Sequence, residues 1–122
     1  MSVKLNVASK YQIEYGNCAY FNNLQEEFNE LLSKLFDKYC HKDTDWIDFV
    51  DDEEIAYSNV IEIDKKSFAH IKQRLQELDP EEVILKSNDS DSSYTVKEIV
   101  DIFQYLLDNT DPNNDFICFV WF

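Results

Sequence analysis

Near the start of the chain, apolar side chains fall on odd-numbered positions: Val3, Leu5, Val7, Tyr11, Ile13 and Tyr15. Between them stand Lys4, Asn6, Lys10, Gln12 and Glu14. A period of two buries one face and wets the other, so 3–15 predicts one long strand, or two short ones broken near Ala8-Ser9. Gly16-Asn17 ends it. The period then changes. Leu24, Phe28, Leu31, Leu32, Leu35, Phe36 and Tyr39 recur at spacings of three and four, the stripe of an amphipathic helix. Asn22 or Asn23 is placed to cap it, and Glu26 and Glu27 suit its first turn.

Further on, Ile55, Tyr57, Ile61 and Ile63 predict a strand ending at Asp64, which can cap a second helix carrying Phe68, Ile71, Leu75 and Leu78. Asp79-Pro80 stops that helix. Val83-Ile84-Leu85 fits a short buried strand, although Asp79-Pro80-Glu81-Glu82 is also a good helix start. Residues 87–93 form a polar loop. Thr95-Val96-Lys97-Glu98 is a capping box and opens a third helix. Asn109 to Asp115 is turn chemistry. Phe116 to Phe122 is apolar at every position, which predicts a strand covered on both faces and central in its sheet. The expected fold class is α+β: a single compact domain over 1–122, with a mixed four- to five-stranded sheet, about three helices and a central C-terminal strand.

One segment breaks these patterns. Residues 43–54 read Asp-Thr-Asp-Trp-Ile-Asp-Phe-Val-Asp-Asp-Glu-Glu: seven of twelve are acidic and none is basic. Trp46, Ile47, Phe49 and Val50 interrupt the acids, so the segment fits a short strand or a helical turn. It also concentrates the charge of the chain. The 122 residues carry 25 Asp+Glu against 11 Lys+Arg, a formal net charge of −14. Residues 1–42 are neutral and 65–78 are net basic, whereas 43–64 hold nine acids and no base. A solubility charge of about 2–8 would suffice for a small domain. The excess repels itself in the folded state and asks for a reason.

Composition excludes several function classes. With 44% hydrophobic and 15% aromatic residues the chain is no disordered acidic tail. The charge disfavours nucleic acid and anionic membrane surfaces as ligands. The longest apolar run, Phe116–Phe122, is far short of a membrane span, and the N-terminus has no signal-peptide apolar region. Cys18, Cys40 and Cys118 are an odd number at no metal-like spacing, which favours free thiols and a reducing, cytoplasmic setting. A single Gly forbids P-loop, GxGxxG and GxSxG motifs. A single Arg forbids a multi-arginine clamp.

Catalysis and metals find little support. Cys40-His41 lacks any marked base or oxyanion hole, and His70 is the only other His. Asp43-Thr-Asp45 begins like a calcium loop, but Ile47 and Asp48 stand where that loop needs an oxygen ligand and a Gly. The expectation is no enzyme, no metal and no cofactor.

The remaining role is binding a basic protein. Aromatic anchors in a steering field make an interface. The candidate partner-binding residues are Asp43, Asp45, Trp46, Asp48, Phe49, Asp51, Asp52, Glu53, Glu54 and Tyr57, although plain core packing would explain Trp46 and Phe49 as well. On this segment, the −14 charge and the small α/β layout, the chain resembles the immunity proteins of bacterial toxin systems, of the contact-dependent growth-inhibition and nuclease-bacteriocin kinds. The resemblance implies a cognate basic toxin whose active site an acidic patch blocks. The alternative is a phage-encoded inhibitor that imitates DNA, of the anti-CRISPR or anti-restriction kind.

Overall fold

A computed structural model describes residues 4–10, 14–15, 21, 23–50 and 54–122, with the side chains of 8–10 and 14–15 excepted. The elements in chain order are β1 (Leu5–Lys10), β2 (Glu14–Tyr15), α1 (Gln25–Tyr39), β3 (Ile47–Phe49) and a 3₁₀ turn (Ile55–Tyr57). They continue with β4 (Val60–Asp64), α2 (Lys65–Leu75), β5 (Val83–Lys86), β6 (Ser93–Thr95), α3 (Val96–Asn109) and β7 (Phe116–Trp121). Five strands form one sheet in the order β2-β1-β7-β4-β3, and β5 and β6 form a separate hairpin. The α+β class, the helices and the central C-terminal strand expected from the sequence are therefore present.

The sheet was expected to be mixed. Among the described residues every ladder is antiparallel. The chain passes through two helices between β4 and β7, so it returns reversed. A single crossover helix would have made that pair parallel.

β7 sits between β1 and β4 because its alternate residues serve two faces. Ile117, Phe119 and Trp121 point at the helices and are buried. Phe28 of α1 meets Trp121 edge-on at 5.8 Å between centroids, and Phe68 of α2 meets Phe119 at 5.3 Å. Phe68 stacks on Phe103 of α3 at 4.4 Å, so one aromatic chain joins all three helices to the sheet. Phe116, Cys118 and Val120 face the other side. There Cys118 is buried and its two neighbours are half-buried.

Local chemistry explains most element ends. The Thr95 hydroxyl accepts from the Glu98 amide, and the Glu98 carboxylate accepts from the Thr95 amide, so the capping box forms as read. α1 departs from expectation. Leu24 is its N-cap with no side-chain bond, and Asn23 lies in the left-handed region at φ 60°. Asn22 lies outside the described residues. Asp64 caps α2 by position, without a side-chain hydrogen bond. The stretch 83–86 is a strand and not a helix start; it pairs with Ser93–Thr95, which the polar loop and the capping box had concealed. The strand expected from Ile55 begins at Val60, and Ile55–Tyr57 is a 3₁₀ turn instead. No helix among the described residues is long and apolar enough to cross a membrane.

Candidate functional site

The acidic segment leaves α1 through a closed turn. His41 O accepts from the amides of Thr44 at 3.1 Å and Asp45 at 2.7 Å. The Asp45 carboxylate in turn accepts from the His41 amide at 2.8 Å. Lys66 of α2 lies 3.8 Å from it, and only 14% of the Asp45 side chain is exposed. The amide bond from His41, with Lys66 and His41 charges beyond it, holds this carboxyl below its ordinary range. Asp45 is thus a structural clasp between α1, β3 and α2.

From there the chain alternates. Ile47 and Phe49 point toward the helices and are half-buried against the core. Trp46, Asp48 and Val50 point the other way and are exposed. Residues 46–50 therefore resolve the choice between strand and turn: the 43–54 segment contains a strand, β3, at a sheet edge. Trp46 keeps 44% of its surface in solvent while its ring meets Phe116 edge-on at 5.7 Å. Phe49 is mainly a packing residue, as its core alternative required. Asp51, Asp52 and Glu53 lie outside the described residues.

The 3₁₀ turn brings Tyr57 against α1. It is anchored there from below. Asn29, fully buried, donates to Ile55 O and Ser58 O, each at 3.0 Å, and accepts from the Trp121 indole N–H at 2.9 Å. Gln25 adds a bond to Ser58 O at 2.8 Å. With its backbone fixed, Tyr57 presents 49% of its surface. Its phenol is pushed up, first by the charge of Glu26, then by Glu54, with Glu30 contributing. Partial desolvation and a hydrogen bond to Glu26 act in the same direction.

Glu26, Glu30 and Asp37 were missed as site residues, because the early positions of α1 read as ordinary helix-dipole acids. A signal was available. Glu26, Glu30, Ser33 and Asp37 follow one another at spacings of four, three and four, a single stripe opposite the core stripe. Ser33 and Asp37 line an open groove of about 500 Å³ between α1 and β3, with Phe36, Ile47, Phe49 and Ile55 supplying its apolar surface. Its one basic lining residue, Lys42, lies 3.6 Å from Asp37. Of the bases of α2, Lys66 sits on Asp45 and the others are occupied elsewhere. Lys65 donates to Asp111 O at 2.6 Å, Lys72 bonds Gln104, and Arg74 pairs with Glu77 at 3.2 Å.

We take as the site the acidic arc that runs from Asp37 and Asp48, which line the groove together with Trp46, to Glu26 and Glu54, which act on Tyr57. It offers attraction and shape. Neither of the two described thiols is activated as a nucleophile, and Cys18 lies outside the described residues. Burial pushes Cys40 up to about 11, helped by Asp45 and Asp64, and does the same for Cys118, helped by Glu62. A nucleophilic cysteine needs the opposite shift. Among the described residues no group of three or more His, Cys, Asp or Glu is arranged to hold a metal ion. No family model, curated protein or solved structure matches the chain.

Proposed function

We propose that this protein binds and neutralises a basic protein partner, a cognate toxin of the nuclease kind, by laying the acidic arc over the partner's nucleic-acid-binding site. One observation carries the reading. Two large aromatics stay about half exposed beside carboxylates: Trp46 with Asp48 in the groove lining, and Tyr57 with Glu26 and Glu54, whose charges raise its phenol. Exposed aromatics held by rigid backbone are anchors for a partner, and focused charge speeds its approach. The role needs no chemistry, so the protein is read as a non-enzyme without cofactor, acting in the cytoplasm.

A DNA-imitating inhibitor would spread carboxylates over an extended surface at phosphate-like intervals. Here the acids gather round an apolar groove, which favours docking of a folded protein. The test begins with capture of a partner from source cells at low salt. The captured protein is assayed for nuclease activity with the chain added stoichiometrically. The reading expects inhibition, weakened about tenfold when Asp43, Asp48 and Glu54 are changed to their amides, since exposed pairs contribute roughly 0.2–1 kcal/mol each. Full activity of the captured protein in the presence of the chain would remove the reading.

A further inference from the structure

Among the described residues β3 ends the sheet, with β4 on one side and the groove on the other. In an antiparallel ladder, alternate residues aim both main-chain groups at the neighbour and the rest aim them away. Val50 N donates to Val60 O at 2.9 Å, and Trp46 O accepts from Asp64 N at 3.1 Å. The even-numbered residues of this stretch therefore serve β4. Ile47 and Phe49 therefore aim their N–H and C=O groups away from β4, and outside the β3–β4 ladder neither makes a main-chain hydrogen bond to another described residue. Two donors and two acceptors stand in a row along the groove.

Proteins usually blunt such an edge with a lysine, a proline or a bulge, because it templates pairing with another chain. Residues 46–50 contain none of these; the edge is short, and its one charge, Asp48, selects against acidic strands while leaving it open to basic ones. We propose that the edge of β3 is the docking element, and that the partner adds an extended strand to it. This rests on the reading above and specifies how that surface is used.

The surroundings define the guest strand. Its residues on the helix side would enter the groove beside Phe36 and Ile55, which calls for apolar side chains. Those on the opposite side would lie beside Asp48, which is exposed and also reaches the groove's rim, and this calls for Lys or Arg. A strand alternating apolar and basic residues meets both demands. A second copy of this chain does not. Pairing β3 with itself would bring two segments of nine acids and no base together, and like charges across strands are destabilising.

The test uses the isotope-labelled full chain and a capped peptide, Lys-Val-Lys-Val-Lys-Val-Lys, at low salt and up to millimolar concentration. Two versions are N-methylated, one at every Val and one at every Lys. Methylation keeps charge and side chains but removes donors from one edge of the peptide only. Strand addition requires that the parent peptide shift the amide resonances of Trp46–Val50 and slow solvent exchange of the Ile47 and Phe49 amides. It also requires that one methylated version bind at least about tenfold more weakly while the other binds within about twofold of the parent. Which version fails reports parallel or antiparallel pairing. If both bind like the parent, strand pairing is overturned and the charge-based reading survives. If no resonance in the segment shifts, or the shifts ignore salt, both are overturned. Protection of the same two amides by concentration-dependent dimerisation, without peptide, would replace the basic partner with a second copy.

Discussion

Replacing Asn29 by Ala probes the joint between the core and the proposed interface. Asn29 is the only described side chain bonded to α1's neighbouring turn and to β7 at once: Ile55 O and Ser58 O accept from it, and the Trp121 indole donates to it. The losses are unequal. Ser58 O keeps its bond from Gln25, and Ile55 O keeps the Ser58 amide at 3.2 Å. The Trp121 N–H, on a side chain 3% exposed, loses its partner outright. An orphaned buried donor costs about 1–3 kcal/mol, and each weakened carbonyl bond adds about 0.5–1.5 kcal/mol. Better helix propensity returns about 0.6 kcal/mol. Asn29→Ala is therefore expected to cost about 1.5–5.5 kcal/mol in urea unfolding, and about 10 °C or more in melting temperature near the middle of that range. Trp121→Phe removes the same bond from its other end, so the double variant should cost clearly less than the two singles combined. Amide exchange should also rise at residues 55–58 beyond the global change, because the 3₁₀ turn loses its anchor. A cost below about 1 kcal/mol with unchanged exchange at 55–58 would refute the reasoning.

Other consequences are equally open to measurement. The Asp45 carboxyl, held below its ordinary value of 3.8, stabilises the fold above about pH 4 and loses that contribution as pH falls through its folded value. Asn cannot titrate, so the stability difference between wild type and Asp45→Asn should shrink below pH 4; a constant difference from pH 7 to 3 would contradict the clasp. Cys40 and Cys118, both raised to about 11, should alkylate about a hundredfold more slowly at pH 8 than a free cysteine in peptide-resolved mass spectrometry, and reaction at the free rate would contradict their burial. Deleting residues 116–122 removes the strand between β1 and β4 and should abolish cooperative unfolding; a sigmoidal urea transition in the truncated chain would show that β7 is dispensable.

Periodicity carried much of this fold in the sequence. The alternation of 3–15 and the stripes of the three helices are local patterns imposed by one buried face, the apolar run of 116–122 by cover on both, and all reappear as elements among the described residues, although β1 runs on through Ala8-Ser9, where a break was expected. Pairing direction was less legible, because it depends on how many helices return the chain between strands. Ile55–Tyr57 looked like strand because Ile55, Tyr57, Ile61 and Ile63 share one parity. The deciding interaction, Asn29 under the 3₁₀ turn, is nonlocal. β6 was hidden because its residues also serve the loop and the capping box. For the site, the acids and aromatics of 43–57 were visible from composition alone. Their division was not: the pairing of β3 with β4 turns Phe49 inward and Trp46 and Asp48 outward, while the His41 turn and Lys66 hold Asp45, and Asn29 and Gln25 hold the turn that presents Tyr57. The contribution of Glu26 and Asp37 required α1 to lie beside that segment.

The central claim is that the arc draws in and holds a basic protein. The salt dependence of association with the captured partner tests it most directly, measured for wild type and for the Asp43→Asn, Asp48→Asn, Glu54→Gln variant between about 0.05 and 0.3 M salt, where exposed charges pass from weakly to strongly screened. The account predicts that wild-type affinity falls steeply with salt, and that the variant binds about tenfold more weakly at low salt with a flatter slope. Equal affinity and equal slope for the two proteins would contradict it.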